Sequence, residues 1–113
     1  GEEYALSPRL VEYVVQLTKS LSGTINEVYD KPVLLETHQT NKLAVCTGDG
    51  SHYAKHYDNQ GGEDRRKLTA LYYMNPQWKE ENGGCFRAYD RDSAERFTDI
   101  QPLFDRFFCF WSD

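Results

Sequence analysis

Basic residues and long apolar runs are both in short supply in this sequence. Thirteen Lys and Arg stand against eighteen Asp and Glu, which gives a net charge of −5. A general nucleic-acid binder needs a basic face to meet phosphates, so this balance argues against that class. No apolar run approaches the roughly eighteen residues that a membrane-spanning helix requires. The first residues, Gly1-Glu2-Glu3, carry no basic and apolar signal region. We therefore expect neither a nucleic-acid nor a membrane partner.

Cysteine is scarce as well. Cys46, Cys85 and Cys109 are odd in number and widely spaced, and they form no CxxC pair. A disulfide framework in a short secreted chain favours an even count. The sequence therefore predicts reduced, mostly buried thiols and a cytoplasmic or nuclear location.

Aromatic residues, by contrast, are plentiful at 14% of the 113 residues. Rings of this bulk suit a packed core rich in β-structure. One compact domain over residues 1–113 is the natural expectation at this length.

The first predicted element is a helix from about Pro8 to Leu21. Ser7 is placed to cap it through its hydroxyl, and Pro8 fits the first helical position, where a missing N–H costs nothing. Apolar residues then recur at three- and four-residue spacing. Gly23 suits the left-handed residue that commonly ends a helix.

The hydrophobic period changes after Pro32 to short apolar runs bounded by turn residues, which is typical of strands. The last run, Arg106 to Trp111, is nearly all apolar and is predicted to be buried on both faces. The pattern indicates a mainly β fold with an N-terminal helix (α+β), as a sandwich, barrel or jelly roll. Because the last strand needs covering neighbours, we expect the domain to be incomplete in this chain. The predicted strands are 33–35, 43–46, 52–58, 68–74, 85–89, 97–100 and 106–111.

The triplet His56-Tyr57-Asp58 is the most informative motif. On a strand, alternate side chains share a face, so His56 and Asp58 point the same way. An imidazole and a carboxylate side by side supply two ligands of the two-histidine, one-carboxylate triad that holds iron(II). The plain alternative is a surface strand with two polar residues facing solvent.

Three further segments follow this triplet in a characteristic order. They are Tyr72-Tyr73, the glycine-opened strand Gly83-Gly84-Cys85-Phe86-Arg87, and the closing Phe-Trp-Ser-Asp at residues 110–113. In this order the sequence resembles the oxygen-sensing prolyl 4-hydroxylases that modify hypoxia-inducible factor, from about Leu43 to Asp113. These enzymes are 2-oxoglutarate- and iron(II)-dependent dioxygenases. The resemblance implies a double-stranded β-helix, or jelly roll, that is incomplete in this chain.

The resemblance also implies a set of site residues and reactants. His56 and Asp58 match the first two iron ligands, Tyr73 the tyrosine that binds the distal carboxylate of 2-oxoglutarate, and Arg66 a basic residue near the peptide substrate. The implied reactants are Fe(II), 2-oxoglutarate, O2, ascorbate and a protein segment that contains a proline. The apolar residues that match the lining of the cosubstrate pocket are Leu43, Leu71 and Phe86.

Two departures from the family pattern bear on activity. Cys46 stands where the oxygen-sensing enzymes usually have a pocket tyrosine. In the family, the second histidine ligand and the arginine that pairs with the cosubstrate carboxylate lie beyond Phe-Trp-Ser-Asp, and this chain has neither. We therefore expect the 113-residue chain to be inactive alone and to associate through its exposed last strand.

Other readings of the sequence stay open at this point. A non-catalytic β-helix that acts as a binding module would share the fold without binding iron. A ribosomal-protein prolyl hydroxylase would differ only in its substrate. A cupin-like enzyme that acts on small molecules fits the strand pattern but not the closing Phe-Trp-Ser-Asp. A zinc finger through His52 and His56 lacks the preceding CxxC.

Overall fold

A computed structural model of the chain describes residues 1–35 and 38–113. The chain divides into two compact units, Gly1–Cys46 and Thr47–Asp113. The first unit is helical and the second carries the strands, so the expected combination of an N-terminal helix with a β portion is confirmed.

The N-terminal unit contains helices α1 (Glu2–Leu6) and α2 (Pro8–Val28). Ser7 is the N-cap of α2, as predicted, and its carbonyl oxygen accepts from the Val11 N–H at 3.1 Å. Its hydroxyl makes no capping hydrogen bond, so that part of the prediction is wrong. The predicted end at Leu21 is also wrong, because α2 continues to Val28. A helical glycine costs only about 1 kcal/mol relative to alanine, so Gly23 does not by itself stop a long amphipathic helix.

The three earliest predicted strands are wrong. Residues 33–35, 43–46 and 52–58 are all described, and none of them forms a strand. At 33–35 the cause is local, because the Asn26 side chain takes both backbone groups of Leu34. Its Nδ2 donates to the Leu34 carbonyl at 2.9 Å, and its Oδ1 accepts the Leu34 N–H at 2.8 Å. A side-chain amide thus replaces the partner strand that the apolar run requires.

The C-terminal unit contains four strands in two antiparallel pairs. These strands are β1 (Leu68–Tyr73), β2 (Phe86–Tyr89), β3 (Phe97–Ile100) and β4 (Arg106–Trp111). β1 pairs with β4, and β2 pairs with β3. All four were predicted, with bounds that differ from the structure by at most one residue.

One face of the β1–β4 pair carries an aromatic cluster. Leu71 lies directly opposite Phe108 in the ladder, and Thr69 lies opposite Phe110. From β2, the Phe86 ring packs 5.1 Å from that of Phe108 and 5.0 Å from that of Phe110, between ring centroids. Because alternate residues share a face, Thr69, Leu71 and Tyr73 all lie on this side of β1. We call the four rings of Tyr73, Phe86, Phe108 and Phe110, together with the Leu71 side chain on the same face, the aromatic cluster.

The expected burial of β4 on both faces is wrong. Apart from Pro102, no apolar side chain within the described ranges is buried, and Trp111 is 41% exposed. The opposite face of the pair, which carries Leu68, Phe107 and Cys109, therefore stays partly open. The predicted burial of the thiols is wrong as well, since all three cysteines are free and exposed. No helix of the described residues is long and apolar enough to cross a membrane.

The β2–β3 hairpin is tied across its strands by a bidentate ion pair. Arg87 donates from Nε and Nη2 to the two carboxylate oxygens of Asp99, at 2.7 and 2.8 Å. These bonds lower the pKa of Asp99 and raise that of Arg87. The same guanidinium lies 3.9 Å from the centre of the Phe97 ring. The hairpin also reaches the segment before Asp58, because the Lys55 ammonium lies 3.9 Å from the centre of the Tyr89 ring.

Candidate metal and cosubstrate site

His56 and Asp58 meet side by side, as their spacing predicts, although the segment is not a strand. The imidazole Nε2 lies 3.1 Å from Asp58 Oδ1. The His56 side chain is 46% exposed and that of Asp58 is 28% exposed, so both remain accessible from solvent. The pair is held by local hydrogen bonds rather than by strand alternation.

The other imidazole nitrogen donates to a backbone carbonyl. His56 Nδ1 lies 2.5 Å from the carbonyl oxygen of Ala54. A carbonyl oxygen only accepts, so Nδ1 carries the proton and donates it. Nε2 then faces Asp58 Oδ1 either with a lone pair or with a second proton. With a lone pair, two electron-rich atoms converge on one point, and a cation between them removes their repulsion.

The distance between these two atoms suits a divalent metal. Nitrogen and oxygen ligands lie about 2.1 Å from such an ion, so adjacent corners of an octahedron are about 3.0 Å apart. The observed 3.1 Å from Nε2 to Oδ1 matches that edge. Metal-binding histidines commonly donate their second N–H to a carbonyl oxygen, as His56 does to Ala54. The residues present therefore fit two adjacent ligands of iron(II). No group of three His, Cys, Asp or Glu within residues 1–35 and 38–113 is arranged to hold a metal.

The second oxygen of the Asp58 carboxylate points into the β1–β4 pair. Asp58 Oδ2 accepts from the Thr69 hydroxyl at 2.7 Å, and Thr69 Oγ1 lies 2.8 Å from the Ser112 hydroxyl. Ser112 follows β4 directly and is only 2% exposed. We call His56 and Asp58 the metal pair. Through Asp58 it is bonded to β1 and to the residue after β4, on the face that carries the aromatic cluster.

Asn59 is the buried anchor of the segment that carries the ligands. Its backbone N–H donates to the Ser112 carbonyl at 2.8 Å. Its side-chain Nδ2 donates to the carbonyls of Arg66 and Asp64, at 2.6 and 3.2 Å, and its Oδ1 accepts the Gly61 N–H at 2.8 Å. At 6% exposure these bonds replace water almost completely. The loop that begins at His56 and Asp58 is thus held by hydrogen bonds within the loop and to Ser112, directly after β4.

The predicted cosubstrate residues divide between the two units. Leu71, Tyr73 and Phe86 belong to the aromatic cluster, and the Tyr73 ring stacks on Phe108 with 5.9 Å between centroids. Thr69 lies on the same face of β1, so that face runs from the metal pair towards Tyr73. At about 3.3 Å per residue, the four steps from Thr69 to Tyr73 span roughly 13 Å. Leu43 belongs to the N-terminal unit, where it is 69% exposed.

Comparison with known proteins identifies the family of the chain. A family model described as "2OG-Fe(II) oxygenase superfamily" matches residues 38–113. The chain belongs to this superfamily. The match covers about two-thirds of the chain, including the metal pair, the aromatic cluster and Ser112.

Curated relatives of this superfamily member confirm the resemblance to oxygen-sensing prolyl hydroxylases. Egl nine homolog 1 of Homo sapiens is 40% identical over 77 residues, which are 66% of this chain and 18% of that protein. Prolyl hydroxylase EGLN3 of Homo sapiens is 38% identical over 72 residues, 63% of this chain and 29% of that protein. A Caenorhabditis elegans hypoxia-inducible factor prolyl hydroxylase is 42% identical over 72 residues, 63% of this chain and 10% of that protein. The chain spans less than a third of the length of each. No solved structure matches the chain.

Arg66, which the oxygenase resemblance places near the peptide substrate, is engaged within the loop. Its Nε donates to both oxygens of the Asp64 carboxylate at 3.0 Å, and its Nη2 donates to the Asp58 carbonyl at 2.9 Å. The hydrogen bonds from Arg66 lower the pKa of Asp64 to about 2. Because Nε and Nη2 already have partners, a peptide carboxylate that used these donors would compete with Asp64 for them.

Sequence reasoning missed three residues of the oxygenase site, namely Asn59, Thr69 and Ser112. Each carried a signal. Asn59 follows the second ligand directly, Thr69 shares its strand face with Leu71 and Tyr73, and Ser112 is part of the closing Phe-Trp-Ser-Asp. These signals name the residues, but only the β1–β4 register brings Thr69 and Ser112 to one carboxylate oxygen.

Proposed function

We propose that this chain is part of a 2-oxoglutarate- and iron(II)-dependent dioxygenase that hydroxylates a proline in a protein substrate, as an oxygen sensor. The observation that carries the proposal is the meeting of His56 Nε2 and Asp58 Oδ1 at 3.1 Å. The relatives named as prolyl hydroxylases support the substrate class. The double-stranded β-helix implied by the family is the proposed complete fold, within one domain that includes residues 1–113.

Each residue of the proposed site has a separate task. His56 and Asp58 hold the metal, with the third ligand expected from a histidine outside this chain. The aromatic cluster supplies a wall that keeps water from the cosubstrate, and the Tyr73 hydroxyl donates to the distal carboxylate of 2-oxoglutarate. A hydroxyl bond to a carboxylate is charge-assisted and roughly twice as strong as a neutral one. Leu43, which the resemblance assigns to the pocket lining, belongs to the N-terminal unit.

When bound, iron(II) and 2-oxoglutarate supply the activation of O2 and yield succinate and CO2. The chain's own residues position these reactants and shield them from solvent. Ascorbate is the proposed reductant that keeps the iron ferrous. The free thiols suit a reducing compartment, which supports a cytoplasmic or nuclear location. Arg66 is the proposed contact to the peptide, reached when an acidic side chain displaces Asp64.

Succinate release by the full-length protein tests this function. The reaction contains Fe(II), ascorbate, 2-oxoglutarate and a proline-containing peptide of the hypoxia-inducible-factor type, with hydroxylation followed by mass spectrometry. We expect His56→Ala to abolish both products. His52→Ala is the matched control, because His52 is also exposed and holds a carbonyl two residues earlier, with 2.9 Å from Nδ1 to the Gly50 oxygen.

The outcome separates the remaining alternatives. Hydroxylation of a ribosomal-protein peptide alone would indicate a ribosomal-protein prolyl hydroxylase. Absence of both metal binding and turnover in the full-length protein would favour a non-catalytic binding module and overturn the proposal. Full activity in His56→Ala would show that the ligand assignment is wrong.

A further inference from the structure

We propose that Thr69 and Ser112 form a directed pair of hydroxyl groups that holds Asp58 as a one-oxygen metal ligand. In this arrangement Oδ1 faces the metal together with His56, and Oδ2 is withheld from it. Thr69 and Ser112 are positioning residues, since neither touches the metal. The inference rests on the proposed function and deepens it, because it states how the chain sets metal affinity.

The direction of the two hydrogen bonds follows from counting protons. Asp58 Oδ2 accepts at 2.7 Å, and a carboxylate only accepts, so the single Thr69 proton is committed to it. Thr69 Oγ1, at 2.8 Å from Ser112 Oγ, must then accept. The Ser112 hydroxyl therefore donates to Thr69, which in turn donates to Asp58. Each donated bond polarises the next one, so the two strengthen each other at the carboxylate.

The backbone around Ser112 gives this pair a rigid base. The Ser112 N–H donates to the Lys67 carbonyl at 2.9 Å, which extends the β1–β4 ladder by one residue. The Ser112 carbonyl accepts from the Asn59 N–H at 2.8 Å, beside the ligand itself. With 2% exposure, Ser112 exchanges neither bond for water. The hydroxyl is thus held between the strand pair and the loop that it orients.

Withholding Oδ2 has a chemical consequence for the metal. A carboxylate that is free to rotate can bind a metal through one or both oxygens, and two-oxygen binding uses a coordination position that O2 or 2-oxoglutarate needs. A hydroxyl on Oδ2 disfavours that mode and removes rotational freedom before the metal arrives. Removing a hydrogen-bond partner of this kind commonly lowers metal affinity by roughly 10- to 100-fold.

Metal titration of the full-length protein tests the inference without turnover. Mn(II) affinity is measured by calorimetry, and Co(II) binding is followed by its visible absorption. We expect Thr69→Val to weaken Mn(II) binding by about 10- to 100-fold and to change the intensity of the Co(II) bands. Ser112→Ala, which leaves the Thr69 bond in place, should give a smaller loss. Thr69→Ser keeps the hydroxyl and should restore affinity and spectrum.

Thr98→Val is the matched control, because Thr98 is an exposed threonine on β3. Thr69→Val should fold, since valine keeps the shape of threonine and favours strands; circular dichroism checks this. Tight metal binding by wild type together with unchanged affinity in Thr69→Val would overturn this inference alone. A wild-type protein that binds neither ion would overturn the proposed function and this inference with it. Weak Mn(II) binding by Thr69→Ser as well would show that the methyl group of Thr69 matters and not its hydroxyl, and would overturn the inference.

Discussion

Replacement of Asn59 by alanine should destabilise the loop that begins at His56 and Asp58 more than any exposed substitution near it. Alanine removes three side-chain hydrogen bonds, at 2.6, 2.8 and 3.2 Å, from a residue that is 6% exposed. The backbone groups left behind are two carbonyl oxygens and the Gly61 N–H. A net loss of about 1 kcal/mol for each bond gives roughly 3 kcal/mol. That is a large share of the 5–15 kcal/mol that typically stabilises a domain.

Urea denaturation of the full-length protein measures the effect as a change in the free energy of unfolding. Gln60→Ala is the matched control, because it removes an exposed amide one residue later and should change stability by less than about 0.5 kcal/mol. Asn59→Asp should also destabilise, because a carboxylate cannot donate to the carbonyls of Asp64 and Arg66. An Asn59→Ala variant as stable as wild type would refute the reasoning, since the carbonyl oxygens of Asp64 and Arg66 would then have other partners.

Three other substitutions follow from the described contacts. Asp64→Asn should lower stability at pH 6 and much less near pH 2. The pKa of Asp64 is lowered from 3.8 to about 2, so the stability that its carboxylate contributes is complete above pH 3.8 and is lost as the pH falls through 2. Urea curves at the two pH values check this, and an equal loss at both would contradict it. Tyr73→Phe should raise the KM for 2-oxoglutarate about tenfold with little change in kcat, as expected for a lost hydrogen bond to a charged group. Steady-state kinetics measures this, and an unchanged KM would remove Tyr73 from the pocket. Arg87→Lys should lower stability only slightly, and the loss should shrink as salt is added, because the ion pair with Asp99 is exposed. A larger, salt-independent loss would mean that the pair is shielded from solvent.

The sequence correctly predicted the four strands that pair with another strand. The bounds of β3 and β4 were correct, and those of β1 and β2 were one residue too long. Their alternating or continuous apolar runs match the side-chain period of a strand and so can be read without a partner. The start of α2 at Pro8 was also correct, because the preference of proline for the first helical position is local.

At two of the three wrong strand predictions, 33–35 and 52–58, side chains bond to backbone. Asn26 occupies the backbone of Leu34, and His52 and His56 each reach a carbonyl two residues earlier. Such bonds replace the strand pairing that apolar runs suggest, and nothing in a hydrophobic pattern reveals them. The His-x-Asp spacing still predicted the meeting of His56 with Asp58, although for the wrong reason. The contacts to Thr69 and Ser112 could not be predicted, because they depend on a register set by distant residues.

The ladder between β1 and β4 also determines when the metal pair becomes complete during synthesis. The hairpin of β2 and β3 is local in sequence and can form as soon as both strands exist, whereas Leu68 pairs with Trp111 across 43 residues. Asp58 emerges 54 residues before Ser112, counting 112 minus 58. At about 5–20 residues per second, the ligand waits roughly 3–11 s for the hydroxyl that helps to orient it. Until then the Asp58 carboxylate lacks both hydroxyl groups, and it is free to rotate.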